Sequence, residues 1–348
     1  AREQVAAAIG AQPSEVIFTG GGTEADNLAL KGAALRARSR GNHLITTAIE
    51  HHAVLHSAEW LERQGFRVTF LPVDADGVMD LEALDCALGA ETILVSIMLA
   101  NNEVGTIQSV KEATRLVKER SRALVHTDAV QALGKIPVNV EDLGIDLASF
   151  AAHKLGGPKG VGALFLRRKT PLESIQHGGG QERDLRSGTP NVAGIVGMAA
   201  AARIALAELP TEGPRLARLR RRLEDGISSR IESVKLNVGG APRLPGILNC
   251  CIEGLEGESL LLMLDARGVA ASSGSACTSG SLAPSHGLLA MGIPPELAHG
   301  SLRLSLGPSS TDEDVDSVLE ILPPIVERLR SIAPASMAGR RRAAPARH

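Results

Sequence analysis

Short apolar, β-rich runs alternate with helical stretches over roughly the first 200 residues, and this alternation limits the fold more than any other feature. Glu15–Thr19 reads as a strand, and Thr23 to about Arg38 as a helix. His43–Thr47 is a second strand, followed by a helix over His52–Gln64 and a strand over Arg67–Leu71. Thr92–Met98 is a continuous apolar strand and Val110–Arg120 a helix. Leu124–Thr127, Asp146–Ala151 and Gly162–Leu166 are further strands. Strands that are apolar throughout are buried on both faces, so helices must cover a largely parallel sheet. The expected class is α/β, a large domain with a mostly parallel sheet plus a smaller α+β C-terminal domain. Ala193–Leu209 reads as an Ala-rich helix that Pro210–Pro214 is expected to break. Beyond it lie a basic helix (Arg215–Gly226), strands near Ile247–Ile252 and Ser301–Leu306, and helices near Ser259–Arg267 and Asp312–Ser331. The expected division is therefore 1–209, 210–332 and an Ala/Pro/Arg-rich basic tail over 333–348, read as disordered. The stretch 215–222 reads as a solvated helix face.

Composition narrows the function. The formal charge is −2, which gives no general basic field for nucleic acid. Aromatic residues are five Phe and Trp60, with no Tyr, so stacking platforms and tyrosine catalysis are not expected. The longest apolar run, Val192–Ala202, is too short to cross a bilayer, and no signal peptide is visible. The chain opens on Ala1 rather than Met, as a fragment or processed product would. Cys86, Cys250, Cys251 and Cys277 make no CxxC pair, so no zinc ribbon or disulfide framework is expected, and a reduced cytoplasmic compartment is the default.

Six stretches could carry chemistry. Gly20-Gly21-Gly22-Thr23 joins a strand to a helix, where bare backbone and a helix N-terminus suit an anion. Thr23 is also a candidate N-cap with Asp26 three residues on. A plain tight turn, a phosphate site and a dinucleotide fingerprint (Gly20, Gly22, Ala25) all remain open, although no acid stands where a dinucleotide site needs one. Lys154 follows a strand and precedes a glycine-rich segment; in a desolvated cleft it is a Schiff-base amine, otherwise a surface lysine. Asp128 ends an apolar strand at its carboxyl end. There it could cap a helix, or hold a pyridinium nitrogen protonated and so make pyridoxal phosphate an electron sink. Gln131, one turn on, could donate to that cofactor's phenolate oxygen. His51 and His52 follow Glu50, and an imidazole can stack on a ring and move protons; adjacent histidines do not make a one-face metal pair, so no metal is expected. Cys277 lies in a Ser/Gly-rich stretch and reads as a displayed nucleophile or an inert surface thiol, whereas Cys86, Cys250 and Cys251 read as packing. Arg303 alternates with leucines on a strand and could clamp a carboxylate or face solvent.

Taken together, these parts make one machine. The stretches IFTGGGTEADN (17–27), EHHAVL (50–55), NNEVGTIQ (101–108), HTDAVQALGK (126–135), SFAAHKLGGPKGVGAL (149–164), HGGGQERDLRSGTPN (177–191), SSGSACTSGS (272–281) and LRLSLG (302–307) run in order along nearly the whole chain. The sequence closely resembles cysteine desulfurases of the NifS/IscS type (group I), relatives of the class V aminotransferases. The resemblance implies the fold type I of pyridoxal-phosphate-dependent transferases, with 1–209 the large cofactor-binding domain and 210–332 a small domain carrying the Cys277 loop. It implies conversion of L-cysteine to L-alanine with sulfur passed to Cys277 as a persulfide, for iron–sulfur cluster assembly or another thiolation pathway. By resemblance, Lys154 binds pyridoxal 5'-phosphate, Asp128 pairs with its ring nitrogen and Gln131 faces its phenolate oxygen. His51 stacks on the ring and accepts a proton. Gly22, Thr23 and His153 hold the phosphate, and Thr189 reaches the phosphate of the partner subunit in a homodimer. Asn102 and Arg303 hold the substrate carboxylate. A sulfur acceptor such as an iron–sulfur scaffold is the implied partner, with no nucleic acid and no membrane. Three departures stand out: an N-terminal family segment containing Asn-Ala-Ala-Thr is absent, Ala151 replaces a common serine, and His52 carries no role. Competing readings are selenocysteine lyase, a catalytically impaired truncated relative acting through dimerisation, and a dinucleotide dehydrogenase that would leave Lys154 and Cys277 without roles.

Overall fold

A computed structural model describes residues 1–273 and 283–332. In chain order the elements are α1 (Arg2–Ile9), β1 (Val16–Thr19), α2 (Gly22–Ala37), β2 (His43–Thr47), α3 (His52–Arg63), β3 (Arg67–Leu71), α4 (Leu81–Ala87), β4 (Thr92–Ser96), α5 (Val110–Arg120), β5 (Leu124–Asp128), α6 (Val140–Leu143), β6 (Leu147–Ala151) and β7 (Gly162–Leu166). The long helix α7 (Val192–Arg230) leads to β8 (Val234–Leu236), β9 (Ile247–Ile252), α8 (Gly257–Asp265), α9 (His286–Ala290), α10 (Pro295–Ala298), β10 (Ser301–Ser305) and α11 (Asp312–Ile332).

Among the described residues, seven strands form one sheet in the order β1-β7-β6-β5-β4-β2-β3. Neighbours from β3 to β6 run parallel, while β7 is antiparallel to both β6 and β1. Strands β1, β2, β4, β5 and β6 are buried along their whole length, including the polar residues His43, His126 and Asp128 that β2 and β5 carry. One core lies on the face covered by α1, α5 and the start of α7, around Ile97, Val125, Phe150 and Phe165. A second lies under α2 and α3, around Leu28, Leu44, Leu61 and Leu94. Strands β8, β9 and β10 form a separate antiparallel sheet. With α8, α11 and the later turns of α7 it encloses its own core around Leu219, Leu223, Leu304 and Leu322.

Three expectations change. Pro210 and Pro214 do not break the helix; α7 runs through both. Both prolines are exposed, so the carbonyls they leave unpaired lie toward water, while each half of α7 packs on its own core. The 215–222 stretch is not a solvated face. Arg215 pairs with Glu212 and donates to the Gly307, Pro308 and Ser310 carbonyls, Arg218 and Arg222 pair with Asp312, and Arg220 is buried beside Glu224. Cys86 is exposed rather than packed, whereas Cys250 and Cys251 are buried, and burial pushes the Cys250 thiol up to about 12. Helix α7 is also long and apolar enough over one stretch to cross a membrane by length and composition alone. The tail 333–348 lies outside the described residues.

Candidate active site

The carboxyl ends of the parallel strands open into one cavity of about 890 Å³. β5 ends on Asp128, β6 runs into Ala151, His153 and Lys154, the loop after β4 brings Met98, Ala100 and Asn102, and the residue before α3 is His51. Gly20–Thr23 form the wall where β1 passes into α2, and Arg303 arrives from β10 of the second sheet. Gly22, Thr23, His51, Asn102, Asp128, Gln131, His153, Lys154 and Arg303 all line this one cavity, although they are spread over 282 positions of sequence. Thr189 does not. It lines a separate pocket of about 90 Å³ with Gly20, Gly160, Glu182 and Arg186. Cys277 lies outside the described residues. The described chain on either side is anchored near the cavity: Ser272 pairs with Arg303 by two backbone hydrogen bonds, and Ser285 donates to Glu103.

Each side chain is set by local structure. Helix α2 begins at Gly22 with Gly21 at its N-cap and no side-chain cap, so Thr23 is a first-turn residue and not the expected cap. A Cβ on Gly22 would stand 2.6 Å from Val130 Cγ2, so only bare backbone fits against the cavity wall there. Asp128 Oδ1 accepts from the Val130 amide at 2.9 Å, which fixes the carboxylate at the strand end. His51 Nδ1 accepts from the Ala53 amide at 3.1 Å. Burial holds His51 down to about 4, so the ring is neutral and its proton sits on Nε2. Arg303 Nη1 donates to the Asn102 carbonyl at 2.8 Å and Nη2 to Ser272 Oγ at 3.2 Å.

Part of this lining belongs to a buried acid cluster of Asp26, Glu50 and Asp128 that residue-by-residue reading misses. Asp26, read as part of a cap, is 1% exposed; its Oδ1 has no hydrogen-bond partner and lies 3.6 Å from His126 Nε2. His126 is held between Ser96 Oγ at 2.8 Å and Ser149 Oγ at 3.0 Å, and burial drives it down to about 3, so it is neutral. Glu50 Oε1 accepts from Thr47 Oγ1 at 2.7 Å and from the Met98 amide at 2.8 Å, while Oε2 has no hydrogen-bond partner. Burial pushes Glu50 up to about 8 and Asp128 up to about 6, and raises Asp26 well above the usual carboxylate range; the Lys154 charge pulls Asp128 partly back. The one sequence signal for Asp26 was its helical phase: Ala25, Asp26, Leu28 and Ala29 are all buried.

This donor set fits pyridoxal phosphate. The uncapped α2 N-terminus with its bare glycine backbone suits a phosphate. Asp128 lines the cavity with a carboxyl that burial raises only to about 6, and a cation at its edge, as a protonated ring nitrogen would be, would hold it ionised. Lys154 offers an amine in the same cavity.

The aminotransferase class-V family model matches residues 1–318. The chain belongs to the class-V aminotransferase family. Within it, the chain is 52% identical over 336 residues to the cysteine desulfurase IscS of Clostridium botulinum, covering 96% of this chain and 84% of that one. A solved NifS-like protein is 42% identical with a TM-score of 0.88, over 94% of this chain and 87% of the other. A structure of SspA in complex with cysteine is 35% identical with a TM-score of 0.77, over 89% and 86%. This class-V family member is a pyridoxal-phosphate-dependent cysteine desulfurase of the NifS/IscS type with the fold-type-I architecture.

Proposed function

We propose that the desulfurase reaction runs in the 890 Å³ cavity, on the residues named above. The observation that carries this reading is that Lys154 and Asp128, delivered by the neighbouring strands β6 and β5, enter the same cavity beside an uncapped helix N-terminus. Lys154 would hold the aldehyde of pyridoxal 5'-phosphate, Asp128 the ring nitrogen and Gln131 the phenolate oxygen. Gly22, Thr23 and His153 would hold the phosphate. When bound, this cofactor supplies an electron sink for charge released at the substrate Cα. Asn102 and Arg303 orient the L-cysteine carboxylate, and Lys154, once free, moves the proton at Cα. His51 presents a ring face and an Nε2–H, so in this neutral tautomer it is placed to stack and donate rather than to accept the proton expected of it. Cys277 attacks the substrate sulfur as a thiolate: the new S–S bond forms as the substrate C–S bond breaks. The bond pair returns to carbon, where a proton completes L-alanine, and Cys277 is left as a persulfide.

The chain further acts as a homodimer, in which Thr189, displayed apart from its own cavity, reaches the phosphate of a second subunit. Val192, Val196 and Ile204 support this, being large apolar side chains exposed along the adjoining α7. The division near residue 210 becomes two domains joined by one continuous helix, each with its own core. The persulfide passes to an acceptor protein such as an iron–sulfur scaffold, and thiol chemistry of this kind suits the reducing cytoplasm.

Incubation with L-cysteine should yield L-alanine and one added sulfur on the Cys277 peptide, read by mass spectrometry. Cys277→Ser should keep its bound cofactor and its spectral response to L-cysteine, because neither uses the thiol, while alanine falls to background. Added sulfur on Cys86, Cys250 or Cys251, or parent-rate alanine from Cys277→Ser, would remove Cys277 from the mechanism.

A further inference from the structure

A second cavity of about 590 Å³ adjoins the first and shares Asn102, Gln131, Lys154 and Arg303 with it. Lys135 lines only this second one. Its Nζ lies 2.5 Å from Gln131 Oε1, four residues back, and among the described residues it makes no ion pair. This is an odd choice of partner. Desolvation holds Lys135 down to about 8, helped by Lys154 and Arg303, and a lysine so placed ordinarily seeks a carboxylate. An ammonium carries donors and no acceptor. The end of the Gln131 amide that meets it must therefore be the carbonyl oxygen, which turns the –NH2 away from Lys135. Gln131 lines both cavities while Lys135 lines only the smaller, the placement expected if the end turned away fronts the larger one.

We propose that Lys135 is a positioning residue that locks the Gln131 amide so that the cofactor cavity receives a hydrogen-bond donor and never an acceptor. The proposal rests on the reading that Gln131 faces the phenolate oxygen of the cofactor. A donor there stabilises the phenolate anion and so eases loss of the proton from the nitrogen that Lys154 contributes. Without Lys135 the amide can turn over and set its oxygen against the phenolate. The proton is then held more tightly, and the pH midpoint of the cofactor's visible absorption change rises. Deleting the Lys135 charge pushes the midpoint the same way, so the test must separate the two effects.

The experiment is a spectral pH titration of the cofactor-loaded parent, Lys135→Met, Gln131→Ala and the double variant, with Lys135→Arg as rescue. Met suits the apolar wall of Leu155, Ala205 and Leu209, and thermal melts and cofactor content confirm folding; Lys135→Gln serves if Met does not fold. Lys135→Met should raise the midpoint by roughly half a unit to one unit, the worth of one hydrogen bond. Gln131→Ala should raise it too, and Lys135→Met should add only its charge effect in that background, clearly less than its shift in the parent, while Lys135→Arg should stay near the parent. An equal shift in both backgrounds means Lys135 acts through its charge alone and overturns the proposal, as does no shift in Lys135→Met. A silent Gln131→Ala overturns the underlying reading of Gln131 instead.

Discussion

At the scale of single residues, the site is built on groups whose charge state is set by burial. Glu50 shows the consequence for stability. Its folded value is about 8 against 4.5 for the free side chain. The unfolded chain releases this proton above pH 4.5, while the folded chain keeps it to about 8. Stability from this group is therefore full below pH 4.5 and declines as pH rises to 8, by an amount on the order of a few kcal/mol. Glu50→Gln keeps an oxygen for Thr47 and Met98 and has no proton to lose. Urea melts at pH 5 and pH 7.5 should show the parent losing stability relative to Glu50→Gln across that interval. Parallel curves would mean Glu50 ionises freely in the folded chain. The candidate residues could be named from the sequence because they sit in contiguous motifs, and most of them line one cavity. The part played by Asp26 was not legible, because a buried carboxyl in a helix looks like any polar residue until the packing places it against His126.

At the scale of elements, the α2 N-terminus shapes the cavity wall and α7 spans two cores. Gly22→Ala should leave the fold intact but displace Val130 or the first turn, since the new Cβ would lie 2.6 Å from Cγ2. Cofactor retention after dialysis should fall while the melting temperature changes little; unchanged retention would detach the first turn of α2 from the phosphate. In the second half of α7, Glu224 lies between Arg243 at 2.7 Å and Arg220 Nε at 3.7 Å, with both Arg220 and Glu224 buried. Glu224→Ala strands two cations and should destabilise by about 3–5 kcal/mol in urea melts. Asp312→Ala, which removes exposed partners of Arg218 and Arg222, should be hard to tell from the parent. Equal effects would contradict the burial argument. The strands of the large sheet and the longer helices followed closely from periodicity, whereas α1, β8 and the short helices α6, α9 and α10 were not read from the sequence. Helix continuity through Pro210 and Pro214 did not, because proline signals a local break and cannot report that packing on two cores holds the helix together.

At the scale of the whole molecule, the active cavity depends on both sheets. Strand β10 sends Arg303 into a cavity otherwise built from the seven-stranded sheet and its loops, and its bond to the Asn102 carbonyl ties the two together. The same cavities hold three lysines, since Lys154 and Lys159 line the larger and Lys135 the smaller. Which of them holds the cofactor decides whether the geometry described above is the catalytic geometry. The most direct measurement is borohydride reduction of the cofactor-loaded chain followed by peptide mapping. A pyridoxyl group is expected on Lys154 alone, at one per chain. A pyridoxyl group on Lys135 or Lys159, or on none of the three, would contradict it.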